Sequence, residues 1–227
     1  SPLYSFLFTL PLFIIYEIGL FMSISDDLSY LRNGADAVMR QMLSVFGITG
    51  LFWIGGVFLF GFLIIYLLQK YSWDEYTIKT KYFISMVFES MIWAYILFIL
   101  MSNMHILLMV TSGYRVIQNV TLAIGAGIYE EILFRVILIF LFNYIFALVF
   151  KWNNYLKIGI SIIFASIFFS VFHFIGEFGD YFSFNIFMIR FLAGIALGIL
   201  YCFRGFGITA WTHSIYDLIV LTRITTQ

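Results

Sequence analysis

Charge is what this sequence has least of. Only 11% of its 227 residues are Asp, Glu, Lys or Arg, and the two signs cancel at 12 each. Soluble domains carry about 25% charged residues, and disordered chains are polar and charged throughout. The missing basic excess excludes a chain built to neutralise nucleic-acid phosphates. Cysteine is reduced to Cys202, which excludes an internal disulfide and a Cys-rich metal cluster. Proline is confined to Pro2 and Pro11, so long stretches are free to be helical. Strict apolar/polar alternation is missing, which excludes a β-barrel. Neither Gly-x-Ser-x-Gly nor His-Glu-x-x-His occurs, against a serine hydrolase elbow and an ordinary zincin. A basic n-region and a small-residue cleavage site are also missing, so the first apolar run is expected to remain as a span. Thr225-Thr226-Gln227 is no lipidation signal.

What is there is apolar: 63% hydrophobic residues, 22% of the chain aromatic. A soluble globule of this length cannot hide so much, so the solvent for most of the chain is lipid. A spanning helix needs ~20 apolar residues, with charges marking its ends. Spans are expected near Leu3–Phe21, Ile48–Leu68, Phe83–Val110, Val116–Phe150, Ile158–Ile175, Phe184–Phe203 and Phe206–Leu221. The fourth is too long for one upright crossing and must tilt or run past the bilayer. The expected fold is all-α: a polytopic membrane bundle of about seven transmembrane helices, one domain over residues 1–227. Ser25–Gln41 reads as an amphipathic interfacial helix or as a solvated connector, with Asp26, Asp27, Arg32, Asp36 and Arg40 set between apolar residues. Gly194 and Gly198 form a Gly-x-x-x-Gly suited to close helix packing. Alternate loops gather Lys70, Lys79, Lys81, Lys151, Lys157 and Arg204 on one side. By the positive-inside rule that side is cytoplasmic.

An ionisable side chain inside a bilayer costs roughly 2.5–3.5 kcal/mol, so intramembrane charges are the informative residues. Three spans hold a cluster of polar and ionisable residues. The fourth contains Glu130-Glu131 and Arg135, with Glu131 and Arg135 four apart and able to pair along one face. The fifth ends in Phe169-x-x-x-His173, and the seventh contains His213-x-x-x-Asp217. A buried Glu–Arg pair fixing helix register, a satisfied interfacial His173 and a local His213–Asp217 pair are the structural alternatives. Together, carboxylates and imidazoles from three helices can position and deprotonate water. Glu130, His173 and His213 could instead bind Zn²⁺ or another divalent ion. Both routes lead to a buried hydrolytic centre. His105 has no carboxylate at helical spacing and is read as structural; Glu17 and Glu89 stay unassigned.

The order Glu130-Glu131-x-x-x-Arg135, Phe169-x-x-x-His173, His213-x-x-x-Asp217 resembles the CPBP family of intramembrane proteases. That family includes the type II CAAX prenyl endopeptidases and the bacteriocin-processing or self-immunity proteins. The motif-bearing core runs from 116 to 221. The resemblance implies that Glu130 activates the attacking water, His173 helps hold it, and Glu131 and Arg135 support the site. His213 and the residue at 217 would stabilise the tetrahedral oxyanion. Many members carry Asn there, whereas this chain carries Asp217, which when ionised would repel an oxyanion. It must be protonated, orient His213, or serve elsewhere. The implied activity is cleavage of a membrane-associated protein or peptide, such as its C-terminal tail, by a multi-pass protein of a prokaryotic cell membrane. The reading leans to a glutamate-activated water without metal, and to a site opening extracytoplasmically. The competing class is a non-enzymatic membrane protein, a proton-coupled carrier or a toxin-immunity binder.

Overall fold

The computed structural model describes residues 2–22, 33–47, 49–50, 55–56, 59–61, 63, 79–102, 116–176 and 179–224. Every long element among them is a helix: α1 Pro2–Met22, α2 Gly34–Ser44, α3 Thr80–Ser102, α4 Val116–Val149, α5 Asn154–Phe172, α6 Phe184–Arg204 and α7 Phe206–Ile224. Five of these are long and apolar enough to cross a membrane: α1 from Leu3, α3, α4, α5 and α6. Most of the second expected span, like residues 103–110 of the third, lies outside the described residues.

The helix starts follow local chemistry. The Asn153 side chain accepts from the Leu156 N–H and caps α5, which begins four residues before the expected Ile158. The Asn33 side chain accepts from the Ala35 N–H and caps α2; such a cap satisfies one of the orphan amides of a first turn. The last two helices meet at Gly205, whose φ is 82°.

Side-chain contacts fix the helix directions. Ser5 meets Gly207, and Phe8 stacks on Trp211 at 5.2 Å, so α1 and α7 run parallel. Gly19 lies against Thr121 and Tyr16 against Gly125, so α4 runs antiparallel to α1. A Cβ on Gly198 would lie 2.8 Å from Ile162, and one on Gly194 would lie 3.0 Å from Ser166. The Gly-x-x-x-Gly face therefore lets α5 and α6 approach closely in antiparallel fashion. Lys79 donates its N–H to Tyr4 Oη at 2.9 Å, and Arg204 pairs with Glu89. The basic residues Lys79, Lys81, Lys151, Lys157 and Arg204 thus gather at the bundle end that holds the start of α1. The opposite end holds the end of α1, the start of α4 and the end of α5.

α7 is 19 residues long, about 28 Å at ~1.5 Å per residue, and lies along α1 and α3. It is absent from the apolar candidates because Asp217 and Arg223 add to the buried polar residues Thr209, Thr212, His213 and Ser214 in lowering its hydropathy. Its polar side faces protein rather than lipid. The main core combines Leu12, Phe13, Tyr16, Ile128, Tyr129, Phe134 and Phe169 with Ala35 of α2. The described part of the expected interfacial helix is therefore docked on the bundle. Asp36, read with the polar residues of that segment, is fully buried. It accepts from Tyr16 Oη and Arg40 Nε, each at 2.8 Å, which removes the cost of burying a bare carboxylate.

Candidate active site

Within α4, residues Ala126–Glu130 and Ile132–Leu138 wind as π-helix, with Glu131 as the joint between them. π segments are rare and frequently occur at functional sites; here they carry Glu130, Glu131 and Arg135. Gly127 sets the approach of this segment to α7. A Cβ there would lie 2.6 Å from the Ala210 carbonyl oxygen and 2.0 Å from Ser214 Oγ. Only a residue without a side chain lets the two backbones come so close.

That approach places Glu131 beside His213. Glu131 is completely buried. Its Oε1 accepts from His213 Nδ1 at 2.7 Å and lies 3.1 Å from Arg135 Nη1. The Arg135 guanidinium sits 4.3 Å above the Phe169 ring, a cation–π contact that adds to the ion pair. Buried charges demand such pairing, since desolvation costs several kcal/mol per ion. His213 turns its other nitrogen, Nε2, toward Asp217 Oδ2 at 3.6 Å. The i,i+4 neighbour is therefore the more distant partner, and the cross-helix Glu131 is the close one.

Glu130 points to a different neighbour. Its Oε1 accepts from Asn33 Nδ2 at 2.9 Å, while Oε2 lies 3.7 Å from His173 Nε2. His173 caps the end of α5, with Nδ1 2.8 Å from the Phe169 carbonyl oxygen. A carbonyl only accepts, so Nδ1 carries the proton, and in the neutral ring Nε2 is left as an acceptor facing Glu130. The Phe169 ring lies 4.9 Å from His173 and 6.1 Å from His213. One aromatic side chain thus separates and orients both imidazoles. Glu130, Glu131, Arg135, His173, His213 and Asp217 form one connected cluster, contributed by α4, α5 and α7.

The histidines are committed to other partners in ways that bear on a metal. Both His213 nitrogens face carboxylates, and His173 Nδ1 faces a carbonyl. Among the described residues no three His, Cys, Asp or Glu side chains form a group able to hold a metal ion. His213 has no nitrogen turned away from a carboxylate, whereas His173 keeps Nε2 open toward Glu130.

Asn33 and Phe169 bear on the site, although sequence reasoning assigned neither a role in it. Asn33-Gly34-Ala35-Asp36 has the look of a helix start, but nothing local points to Glu130, 97 residues away. Phe169 sits in the quoted motif as a spacer and proves to touch Arg135 and both histidines. Asp180 donates its N–H to the His173 carbonyl at 2.9 Å and pairs with Arg190 at 2.5 Å. Glu89, unassigned from sequence, pairs with Arg204 at the far end of the bundle. Glu17 is half-buried on α1; His105 lies outside the described residues.

Residues 111–219 match the family model of type II CAAX prenyl endopeptidase Rce1-like proteins. Neither a curated protein nor a solved structure matches the chain. The match spans the elements that carry the Glu130, His173 and His213 cluster. With its several long apolar helices, the chain is a multi-pass membrane protein whose residues 111–219 are similar to the Rce1-like, CPBP-type protease family.

Proposed function

We propose that the chain is an intramembrane endopeptidase in which Glu130 activates water without a metal ion, acting on the C-terminal tail of a membrane-associated protein. The observation that carries this reading is the gap between Glu130 Oε2 and His173 Nε2. At 3.7 Å it is too long for a direct hydrogen bond, and a water oxygen beside the pair can lie about 2.8 Å from each. Both groups are anchored through their other polar atom, Oε1 by Asn33 and Nδ1 by the Phe169 carbonyl. Two fixed acceptors aimed at one point are what a water needs to present a lone pair to a peptide carbonyl. Glu130 takes the proton as the oxygen attacks and returns it to the leaving amine. A proton on His213 Nε2, which lies 3.6 Å from Asp217 and is not hydrogen-bonded to it, makes that edge a donor to the developing oxyanion. Glu131 and Arg135 hold His213 in place.

The site opens toward the extracytoplasmic face. The lysines collect at the bundle end remote from His173 and α2, and lysine-rich ends lie inside. Exported or membrane-anchored proteins are then the substrates.

The test is a purified-protein assay in liposomes against a panel of C-terminal tail peptides. Glu130→Gln keeps the shape but not the base, and should lower the rate at least ~100-fold with unchanged thermal unfolding. Full activity in that variant would refute the mechanism. Cleavage that disappears on chelation and returns with a divalent metal would overturn the metal-free assignment. Orientation is read separately. In a Cys202→Ser background, a cysteine at exposed Tyr181 should label from outside the cell and one at exposed Tyr155 from the cytosol; the reverse pattern inverts the site.

A further inference from the structure

α2 lies outside the family match and outside every motif that carries the chemistry, yet it reaches the base. We propose that Asn33 is a positioning residue for Glu130, and that the seating of α2 thereby sets the active carboxylate. The inference rests on the reading of Glu130 as the base.

The geometry assigns the two ends of the Asn33 amide. Its Oδ1 accepts from the Ala35 N–H at 2.8 Å. An amide nitrogen cannot do that, so the amide is locked with Nδ2 toward Glu130 Oε1, 2.9 Å away. Among the described residues no other side chain donates to Glu130 Oε1. Without that donor the carboxylate is free to turn, and Oε2 loses its alignment with His173 Nε2. The cap itself is well fixed. Ala35 and Asp36 are fully buried. Asp36 is held by Tyr16 Oη from α1 and by Arg40 Nε, and Arg40 Nη1 donates to the Gly50 carbonyl at 2.9 Å. Gly34 lies against the Phe172 ring of α5, one residue before His173. α2 therefore touches the helices of both water-holding groups. A substrate tail that shifts α2 would change Glu130 directly.

Two variants separate capping from positioning. Asn33→Ser keeps an oxygen that caps α2, but its hydroxyl is one atom too short for Glu130; Asn33→Ala loses both. In the tail-peptide assay both should lower kcat about tenfold to a hundredfold with KM unchanged, while only Asn33→Ala lowers the unfolding temperature. Wild-type kcat in Asn33→Ser, with loss confined to Asn33→Ala, reduces Asn33 to a helix cap and overturns the proposal. Activity in Glu130→Gln instead sinks the proposed mechanism and leaves the Asn33 contact to a second measurement. There, hydrogen exchange in Glu130→Ala should speed up at least about threefold for the Ala35–Arg40 amides and stay unchanged in α6. Unaltered exchange in α2 shows that the contact does not couple the two elements, whether or not a substrate is cleaved.

Discussion

Two glutamate–arginine pairs hold this bundle, one inside it and one on its basic rim. Glu131 and Arg135 are 0% and 2% exposed, with His213 against the glutamate and the Phe169 ring under the arginine. Glu89 and Arg204 are 25% and 48% exposed, joined at 2.5 Å, with Trp93 as a neighbour. Both join the same residue types, yet their surroundings give them different work. The rim pair is wet or headgroup-exposed, so its attraction is screened and its net effect is small. The inner pair has no water to fall back on, and losing one partner strands a charge in low dielectric. The buried pair therefore couples stability to the site, while the rim pair only ties the first half of α3 to the end of α6.

The largest separation between the two pairs is expected in catalysis. His213→Ala and His173→Ala should each lower cleavage by about 10²–10⁴-fold, whereas Arg204→Ala should leave kcat within about twofold of wild type. A strong kinetic effect of Arg204→Ala would erase the distinction. Stability comes next. Arg135→Ala leaves Glu131 buried without its cation and should destabilise by about 3–5 kcal/mol, read by thermal or denaturant unfolding in detergent. If Arg135→Ala combined with Glu131→Gln recovers much of that loss, the stranded charge is its cause; no recovery would place the cause in packing around Phe169. Gly127→Ala should cost about 1–3 kcal/mol, because the new Cβ meets, besides Ser214 Oγ, the Ala210 carbonyl and the Ser214 backbone nitrogen, which cannot turn aside. It should also lower activity by pushing Glu131 away from His213, and an unfolding midpoint equal to wild type would show that the helices can separate freely. The smallest effect belongs to the rim: Arg204→Ala should cost no more than about 1 kcal/mol, and less at high salt.

The comparison also explains what could be read from the chain. The second half of α4 is the more apolar of the two, yet Ala123–Tyr129 is buried and Phe140, Tyr144, Leu148 and Val149 are exposed. In lipid a large apolar side chain can face outward at no cost, so hydrophobicity alone does not mark the core. The charges do, because lipid excludes them. That is why the Glu130, His173 and His213 segments stood out before any fold was known. The i,i+4 spacing of Glu131 with Arg135 was visible for the same local reason as the starts of α6 and α7 at Phe184 and Phe206. α7 tested this logic in the other direction. Its inward polar side, together with Asp217 and Arg223, lowers its hydropathy below that of the other long helices, although it lies within the bundle.

By itself, the sequence determined what short-range physics controls: an all-helical membrane chain, the approximate ends of its long apolar helices, and the few charged positions that must face protein. The tertiary structure decided who meets whom. The choice of Glu131 rather than Asp217 as the close partner of His213 spans 82 residues and depends on Gly127 bringing α4 against α7. Asn33 on Glu130 spans 97 residues and depends on burying Asp36 beneath Tyr16. Such pairings come from packing between helices, where one missing Cβ or one buried carboxylate sets a register that no local periodicity encodes.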